Sequence, residues 1–433
     1  MQRIDKIVFS VIAALILAFL LGNGNYIYNI LIIVNSFLSI YYALDRPTES
    51  YSLQKVTNIF ILVFFVVALG IQFKDNNIVS SLFVNYYKED YIAFQFLLLI
   101  IIIVYNGSVG IFRSRRLHQP DYIQVRYLPK EGLLIVLSFL AFILIFDSFN
   151  FNVIGLLFRG LANDSIQTSS SSSSLSLIIS HFIRPIPAVC FMIAYITKAK
   201  KSCLWITFLL TIISNFPTGM ARNSVAMIWL PIVLLVFNKF FRRKNSFALL
   251  MLLAYFFVLP FMDNFRYFNG KISWNFSFDY FNTMNFDAGQ NFMFAIKNNV
   301  ITWGRQLLGV LFFFVPRSIW PNKPIGSGAY LASTQPGSFS NIAFPFFGEG
   351  YINFGYLGTF IFTIILAYFS ARLDKKFWAK MSYGIDINYG MYLILVGALT
   401  FILRGDLMSS FAYTVGICLS YYLVEKVCVK EVK

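Results

Sequence analysis

Long apolar stretches alternate with short polar connections along nearly the whole chain. A membrane-spanning helix requires about 20 predominantly apolar residues, and twelve stretches approach that length. They cover residues 7–22, 26–44, 56–73, 91–112, 131–149, 176–197, 202–216, 222–238, 246–262, 347–370, 388–404 and 407–424. The pattern therefore predicts an all-α polytopic membrane protein of about 12 transmembrane helices, in which residues 1–433 form a single membrane domain.

The connections between these stretches carry lysine and arginine in clusters that recur after every second predicted span. Short cytoplasmic loops are enriched in both residue types. If the N-terminus lies inside, all dense clusters fall on the cytoplasmic side, in residues 3–6, 46–55, 113–130, 198–201, 239–244, 372–380 and 426–433. We therefore expect twelve spans, with both termini in the cytoplasm.

One connection is much longer than the others. Residues 263–345 separate the ninth predicted span from the tenth and are predicted to form a long outer loop. Within it, residues 305–319 are apolar but too short to cross a bilayer. A crossing there would also place the basic cluster of residues 372–380 outside, against the charge rule. We expect a short re-entrant or interfacial helix near residues 305–319 instead.

The composition supports the membrane class and excludes several others. Of the 433 residues, 58% are hydrophobic and 12% charged, whereas a soluble domain carries about 25% charged residues. The net charge of +16 is confined to loop clusters, which suits an anionic lipid surface and does not indicate nucleic-acid binding. Two histidines and four cysteines without a C-x-x-C motif predict neither a metal site nor a cofactor.

Several cations oppose the charge rule because they lie on the predicted outer side. They are Arg184, Arg222 and Arg404 at span ends, and Arg266, Arg317 and Lys323 in the long loop. An arginine at mid-membrane depth costs about 2.5–3.5 kcal/mol, so such residues are kept for a partner or a function. Arginine binds phosphate through two parallel hydrogen bonds, which makes these cations a candidate site for a lipid-borne diphosphate. The alternative is pairing with headgroups or nearby acids, such as Arg404 with Asp406.

Transfer of a group from a diphosphate to a hydroxyl also requires a base. Without a metal ion, fixed cations would have to stabilise the leaving group. The candidate bases are Glu349, at the start of the tenth predicted span, and His181, at the edge of the sixth. Both residues also have a purely structural interpretation. Glu349 could stabilise the N-terminus of its helix through its negative charge, and His181 could simply be hydrogen-bonded. The loop acids Asp263, Asp279 and Asp287 are less favoured, since they are expected to pair with loop cations.

The order of these features resembles that of the Wzy-type O-antigen polymerases of bacterial envelopes. The likeness rests on PTGMAR at 217–222, DNFR at 263–266, VPRSIWPNKP at 315–324, EGYINFGYLG at 349–358 and RGD at 404–406. The strings P-R-x-x-W-P-x-K-P and E-x-x-x-N-F-G-x-x-G are its most specific parts. The topology extends the resemblance over most of the chain.

The resemblance implies an inverting, metal-independent glycosyltransferase of the inner membrane. Such an enzyme moves a growing glycan from undecaprenyl diphosphate onto a lipid-linked repeat unit at the periplasmic face, and a chain-length regulator protein is a further possible partner. It implies that the diphosphates are held by Arg184, Arg222, Arg266, Arg317, Lys323 and Arg404. The implied catalytic residues are Glu349 or His181 as base, with Arg222 and Arg317.

Two other functions compete with this interpretation. An O-antigen ligase has a similar fold and donor but uses lipopolysaccharide core as acceptor. That family resemblance would imply a functional histidine in the long outer loop, and residues 263–345 contain none, which favours the polymerase. A flippase for lipid-linked oligosaccharides would be expected to have short outer loops and repeated halves, whereas this chain has its largest insertion late and outside.

Overall fold

The computed structural model describes residues 3–44, 49–114, 126–158, 178–243, 245–265, 277–335, 337–339, 341–381 and 386–432. These residues are mostly helical. Apart from two short helices, Val153–Leu157 and Asn238–Phe241, the helices up to residue 263 are α1 (Arg3–Leu21), α2 (Tyr26–Ala43), α3 (Leu53–Lys74), α4 (Lys88–Ser114), α5 (Glu131–Ser148), α6 (Ile179–Ile196), α7 (Lys201–Ser214), α8 (Arg222–Val236) and α9 (Ser246–Asp263). The others are α10 (Ala288–Lys297), α11 (Arg305–Leu311), α12 (Ser327–Ser333), α13 (Phe346–Met381), α14 (Asn388–Arg404) and α15 (Leu407–Cys428).

The all-α membrane class is confirmed. Within the described residues, ten helices are long and apolar enough to cross a membrane. Two shorter apolar helices, α8 and α14, coincide with the eighth and eleventh predicted spans. The chain is therefore a membrane-embedded helical protein, and the count of twelve spans remains a prediction.

Helix α3 lies at the centre of the bundle. Every residue from Leu53 to Gln72 is buried, including the polar side chains of Gln54, Lys55 and Asn58 near its start. Its middle, Ile61–Ala68, forms a π-helix. The side-chain amide of Gln95, on α4, donates a 2.8 Å hydrogen bond to the carbonyl oxygen of Phe65, which satisfies a backbone acceptor within the apolar core.

Connections predicted on the same side of the membrane contact one another. Among the connections predicted outside, Asn282 donates to Asp75 at 2.6 Å and Lys297 pairs with Asp90 at 2.6 Å. Among those predicted inside, Arg113 pairs with Asp374 at 2.8 Å. There too, strands β1 (Arg126–Pro129) and β2 (Val429–Val432) form an antiparallel pair. The polar contacts thus form two layers at opposite ends of the helices.

The start of helix α13 differs from the predicted span of residues 347–370. Phe354 and Gly355 have non-helical backbone angles, and Gly355 has φ +64°, a conformation that favours glycine. The chain reverses there, so that Gly350 packs against Gly358 and the rings of Phe346 and Phe362 lie 5.4 Å apart. Residues 346–353 therefore form a short helix antiparallel to the rest of α13, a unit we call the glycine hairpin. Hydropathy alone does not separate such a hairpin from a straight span.

The apolar stretch of residues 305–319 is helical only over α11, which has seven residues. Turns follow up to Pro324. The exposed apolar side chains of this region are Leu308, Leu311, Phe312, Phe314 and Ile319. An exposed apolar surface of this kind is what an interfacial segment presents to lipid.

Candidate functional site

Arg222 and Arg404 meet beside the long loop between α9 and α13. Arg222 donates to the hydroxyl of Tyr280 at 2.9 Å and to the side-chain oxygen of Asn285, and it pairs with Asp263 at 2.9 Å. Arg404 donates through Nε to the backbone carbonyl of Asn285 at 2.9 Å. Asn285 therefore links two arginines that are far apart in sequence. We call these five residues the arginine cluster.

Local structure explains how the arginine cluster forms. Arg222 is the first residue of α8 and Arg404 the last of α14, so both side chains emerge at helix ends. Tyr280 and Asn285 lie on consecutive 3₁₀ turns of the loop. Short 3₁₀ segments are frequent connectors. Here they bring polar groups of the loop to the ends of the helices.

A buried carboxylate borders the arginine cluster. Asp287 is 4% exposed and accepts hydrogen bonds from the Asn291 side chain at 3.0 Å and the Ala343 amide at 3.4 Å. Its other oxygen lies 3.7 Å from the Arg404 guanidinium. Burial raises the pKa of Asp287, and Arg404 with the hydrogen bonds only partly opposes that rise.

The two arginines of the cluster each have a carboxylate nearby, Asp263 for Arg222 and Asp287 for Arg404. Pairing with nearby acids, the alternative to a diphosphate site, therefore describes the contacts of both arginines. Among the described residues, the acid that pairs with Arg404 is Asp287, and no ion pair joins Arg404 to Asp406. A diphosphate bound here would have to share or replace these carboxylates. Both guanidinium side chains keep about a fifth of their surface exposed, 18% and 21%, so an anion could reach them.

A separate cavity of about 230 Å³ contains His181 and Arg184. It lies between the start of α6, the start of α8 and the face of α15 that carries Tyr413. The hydroxyl of Ser180 is 2.7 Å from Nδ1 of His181, and the His181 ring packs against the Tyr413 ring. The structure thus places a titratable group and a permanent cation around one space, which we call the His181 cavity.

Arg184 is held in place by backbone carbonyls. Its guanidinium donates to the carbonyls of Ser214 at 3.3 Å and Gly219 at 3.4 Å, and lies 5.6 Å from the Phe149 ring centre. Gly219 also lines the cavity, as do Met220 and Ala221. The next residue is Arg222, so one short segment connects the His181 cavity to the arginine cluster.

Glu349 lies on the first arm of the glycine hairpin and is fully buried. One carboxylate oxygen accepts a 2.6 Å bond from the Ser327 hydroxyl, and the other accepts a 3.0 Å bond from the Leu407 amide. Glu349 therefore connects the hairpin to α12 and to the start of α15. Within the described residues, no hydrogen bond or ion pair joins it to the arginines or to His181.

Arg317 and Lys323 come together in the turns that follow α11. Arg317 donates to the carbonyls of Lys323 at 2.7 Å and Pro324 at 3.3 Å, and Lys323 donates to the carbonyls of Phe313 and Val315. Partial burial and the nearby Arg317 charge lower the pKa of Lys323. These two cations stabilise their own loop, apart from the arginine cluster.

The predicted site residues thus fall into separate groups. The structure joins Arg222 with Arg404, His181 with Arg184, and Arg317 with Lys323. Arg266 lies outside the described residues. In the described part of the chain, no group of three or more His, Cys, Asp or Glu side chains is placed to hold a metal ion.

Sequence reasoning did not identify Asn285, Tyr413 or Asn353. Asn285 bridges two arginines, Tyr413 covers His181, and the Asn353 side chain accepts a 2.8 Å bond from the Leu307 amide at the start of α11. Only Asn353 carried a signal, because it belongs to the N-F-G string of the hairpin turn. The other two contacts depend on distant segments.

Comparison with protein-family models, curated proteins and solved structures finds no match. Function therefore has to be inferred from the chain's own residues and their arrangement.

Proposed function

We propose that this protein is a glycosyltransferase that polymerises undecaprenyl-diphosphate-linked oligosaccharide repeat units into O-antigen polysaccharide. The observation that carries the proposal is the His181 cavity, where a histidine and an arginine line one space. Arg222 directly follows a segment that lines this cavity, and it belongs to the arginine cluster. Cations and a base at the ends of spans suit a substrate whose diphosphate lies at the membrane surface.

In the proposed reaction the bond between the sugar's anomeric carbon and the diphosphate oxygen breaks. The acceptor hydroxyl forms the new glycosidic bond and gives its proton to His181. The diphosphate leaves with its negative charge, which Arg184 and the arginine cluster would stabilise through charge-assisted hydrogen bonds. Glu349 is the alternative base, with less support because both of its oxygens already accept hydrogen bonds.

The proposal includes a location and partners. Both termini would lie in the cytoplasm of a bacterium, with the protein in the inner membrane and the site facing the periplasm. The contacts among predicted outer connections support a common outer side. Donor and acceptor would be two lipid-linked glycans, and a protein that sets chain length is a further proposed partner.

The test is elongation by the purified protein in lipid nanodiscs supplied only with lipid-linked repeat units. We expect a ladder of products from the wild type and none from Arg184→Ala. Arg243→Ala is the matched control, because Arg243 is exposed at the other end of the bundle and lines neither site. A full ladder from Arg184→Ala would contradict the proposed site.

Three measurements separate the competing functions. Product that forms only after addition of lipopolysaccharide core would indicate a ligase. In a deletion strain, cores that carry a single repeat indicate a polymerase, whereas bare cores with accumulating lipid-linked polymer indicate a ligase. Transbilayer movement of the lipid without glycosidic bond formation would indicate a flippase.

A further inference from the structure

A second cavity lies at the other end of the bundle. It has a volume of about 170 Å³ and separates the last turns of α13 from the first turns of α14. Arg404 is at the opposite end of α14, so this cavity is remote from the arginine cluster. We call it the lysine cleft, after Lys376 and Lys380 in its wall.

The polar part of the lysine cleft has an excess of positive charge. Lys380 pairs with Asp386 at 3.3 Å. Lys376 is exposed and, within the described part of the chain, makes no hydrogen bond or ion pair. The wall therefore combines one neutralised pair and one unmatched ammonium group. An anion is the ligand that this charge complements.

Apart from Asn388 and the tyrosine hydroxyls, the remaining wall of the lysine cleft is apolar. It includes Leu373 on α13 and Met391 and Leu395 on α14. A soluble anion would use only the polar end and leave this surface uncovered. An occupant with a phosphate group and a hydrocarbon chain would match both parts, because basic pockets between membrane helices suit lipid headgroups.

Aromatic side chains at the back of the cleft are fixed by hydrogen bonds. The rings of Phe377 and Tyr392 stack with centres 3.9 Å apart, and the Tyr392 hydroxyl donates to Asp374 at 2.7 Å. The hydroxyls of Tyr389 and Tyr51 are 2.6 Å apart. A wall that is already ordered loses little conformational freedom when a ligand binds.

We propose that the lysine cleft is a binding site for an anionic phospholipid such as phosphatidylglycerol. The headgroup phosphate lies at Lys376 and Lys380, and one acyl chain lies along Leu373 and Leu395. This site is independent of the proposed glycosyl transfer. The bound lipid joins the ends of α13 and α14, the two helices whose opposite ends carry the glycine hairpin and Arg404.

The experiment measures binding of phosphatidylglycerol to the purified full-length protein by native mass spectrometry, with phosphatidylcholine as the neutral comparison. Each lysine near an anionic headgroup contributes about a fivefold gain in binding. We therefore expect Lys376→Gln to weaken phosphatidylglycerol binding about fivefold and the double variant Lys376→Gln/Lys380→Gln about 25-fold. Phosphatidylcholine binding should stay weak in all variants.

The matched control is Lys198→Gln/Lys201→Gln, which removes the same charge from exposed lysines outside the cleft. Its phosphatidylglycerol binding should equal that of the wild type. Equal binding by the control and the cleft variant would overturn the proposal, as would equal affinity for the two lipids. Complete displacement of the lipid by inorganic phosphate would also overturn it, since a soluble anion would then suffice. The single variant Lys376→Gln removes no hydrogen bond or ion pair among the described residues, so its folding should be unaffected.

Discussion

The backbone carbonyl of Gly350 packs directly against the α-carbon of Gly358, in the space where a side chain would otherwise lie. This contact closes the glycine hairpin and holds residues 346–353 beside the long part of α13. It also sets the position of Glu349, one residue before Gly350. Packing alone therefore explains why glycines occur in the E-x-x-x-N-F-G-x-x-G string, whether or not the segment has a catalytic role.

Gly358→Ala is expected to destabilise the protein, because the new Cβ would overlap the Gly350 carbonyl. Overpacking of this kind typically costs about 1–3 kcal/mol. The measurement is thermal unfolding of the purified protein in detergent. The matched control is Gly107→Ala on α4, where an added Cβ meets no atom within 4 Å. An equal unfolding temperature for the two variants would contradict the hairpin contact.

Arg222 and Asp263 should affect donor binding in opposite directions. Arg222→Ala removes the guanidinium and should raise the donor KM about tenfold or more, since hydrogen bonds to charged groups contribute about 1.5–3 kcal/mol. Asp263→Asn removes the competing carboxylate while Arg222 still bonds Tyr280 and Asn285, so the donor KM should fall. If both variants raise KM alike, the ion pair is structural and the diphosphate binds elsewhere.

The buried Asp287 predicts a pH-dependent stability. Burial raises its pKa in the folded protein, so the folded state holds this proton to a higher pH than the unfolded state does. The stabilisation that protonation of Asp287 provides is complete below the pKa of an aspartate in the unfolded chain, about 3.9. It is lost as the pH rises through the pKa of Asp287 in the folded protein.

Asp287→Asn should therefore unfold at a higher temperature than the wild type at neutral pH, and the difference should vanish in acid. Thermal unfolding across a pH series measures this. Asp279 is exposed on the same loop, so Asp279→Asn controls for the loss of one carboxylate from that loop. A difference between Asp287→Asn and the wild type that is constant with pH would count against the linkage.

The side of the membrane can be tested with two single cysteines placed before and after α9. In a variant lacking the four native cysteines, Lys239→Cys should react with an impermeant thiol reagent only after the membrane is opened. Asp279→Cys should react in intact spheroplasts. Arg222, at the start of α8, contacts Tyr280, so the same pair also reports whether the 15-residue α8 crosses. Labelling of both positions from one side would contradict the predicted topology.

Hydropathy and charge were sufficient for the helical membrane class because both depend on residues close in sequence. The apolar stretch of residues 56–73, for example, is long enough to predict a membrane-spanning helix. The arrangement within the long loop of residues 263–345 was not predictable in this way. Asn285 joins Arg222 and Arg404 only because three distant segments meet, and a single sequence carries no signal of that meeting.

The glycine hairpin is a second feature that hydropathy does not predict, and it lies within one helix. A straight α13 and a reversed one have the same hydropathy, and the difference lies in the positive φ of Gly355 and the Gly350–Gly358 contact. Four glycines within eleven residues were the available signal. Hydropathy counts glycine as nearly neutral, so a single span from residue 347 is predicted and the short first arm is not.

Glu349 allows a clean separation of a catalytic role from a structural one. Its carboxylate accepts bonds from the Ser327 hydroxyl and the Leu407 amide. A glutamine can keep both contacts, with its carbonyl oxygen accepting from Leu407 and its amide donating to the Ser327 oxygen. Glu349→Gln should therefore fold as the wild type does, whereas Glu349→Ala leaves the buried Leu407 amide without an acceptor, at a cost of about 1–3 kcal/mol.

If Glu349 is the base, Glu349→Gln loses turnover while its donor KM and unfolding temperature stay unchanged, because only the proton acceptor is removed. If Glu349 only connects the hairpin to α12 and α15, Glu349→Gln retains turnover and Glu349→Ala loses both stability and activity. Its hydrogen bonds favour the second outcome. Under that outcome His181 is the base, and His181→Gln should abolish elongation in the same assay without lowering the unfolding temperature.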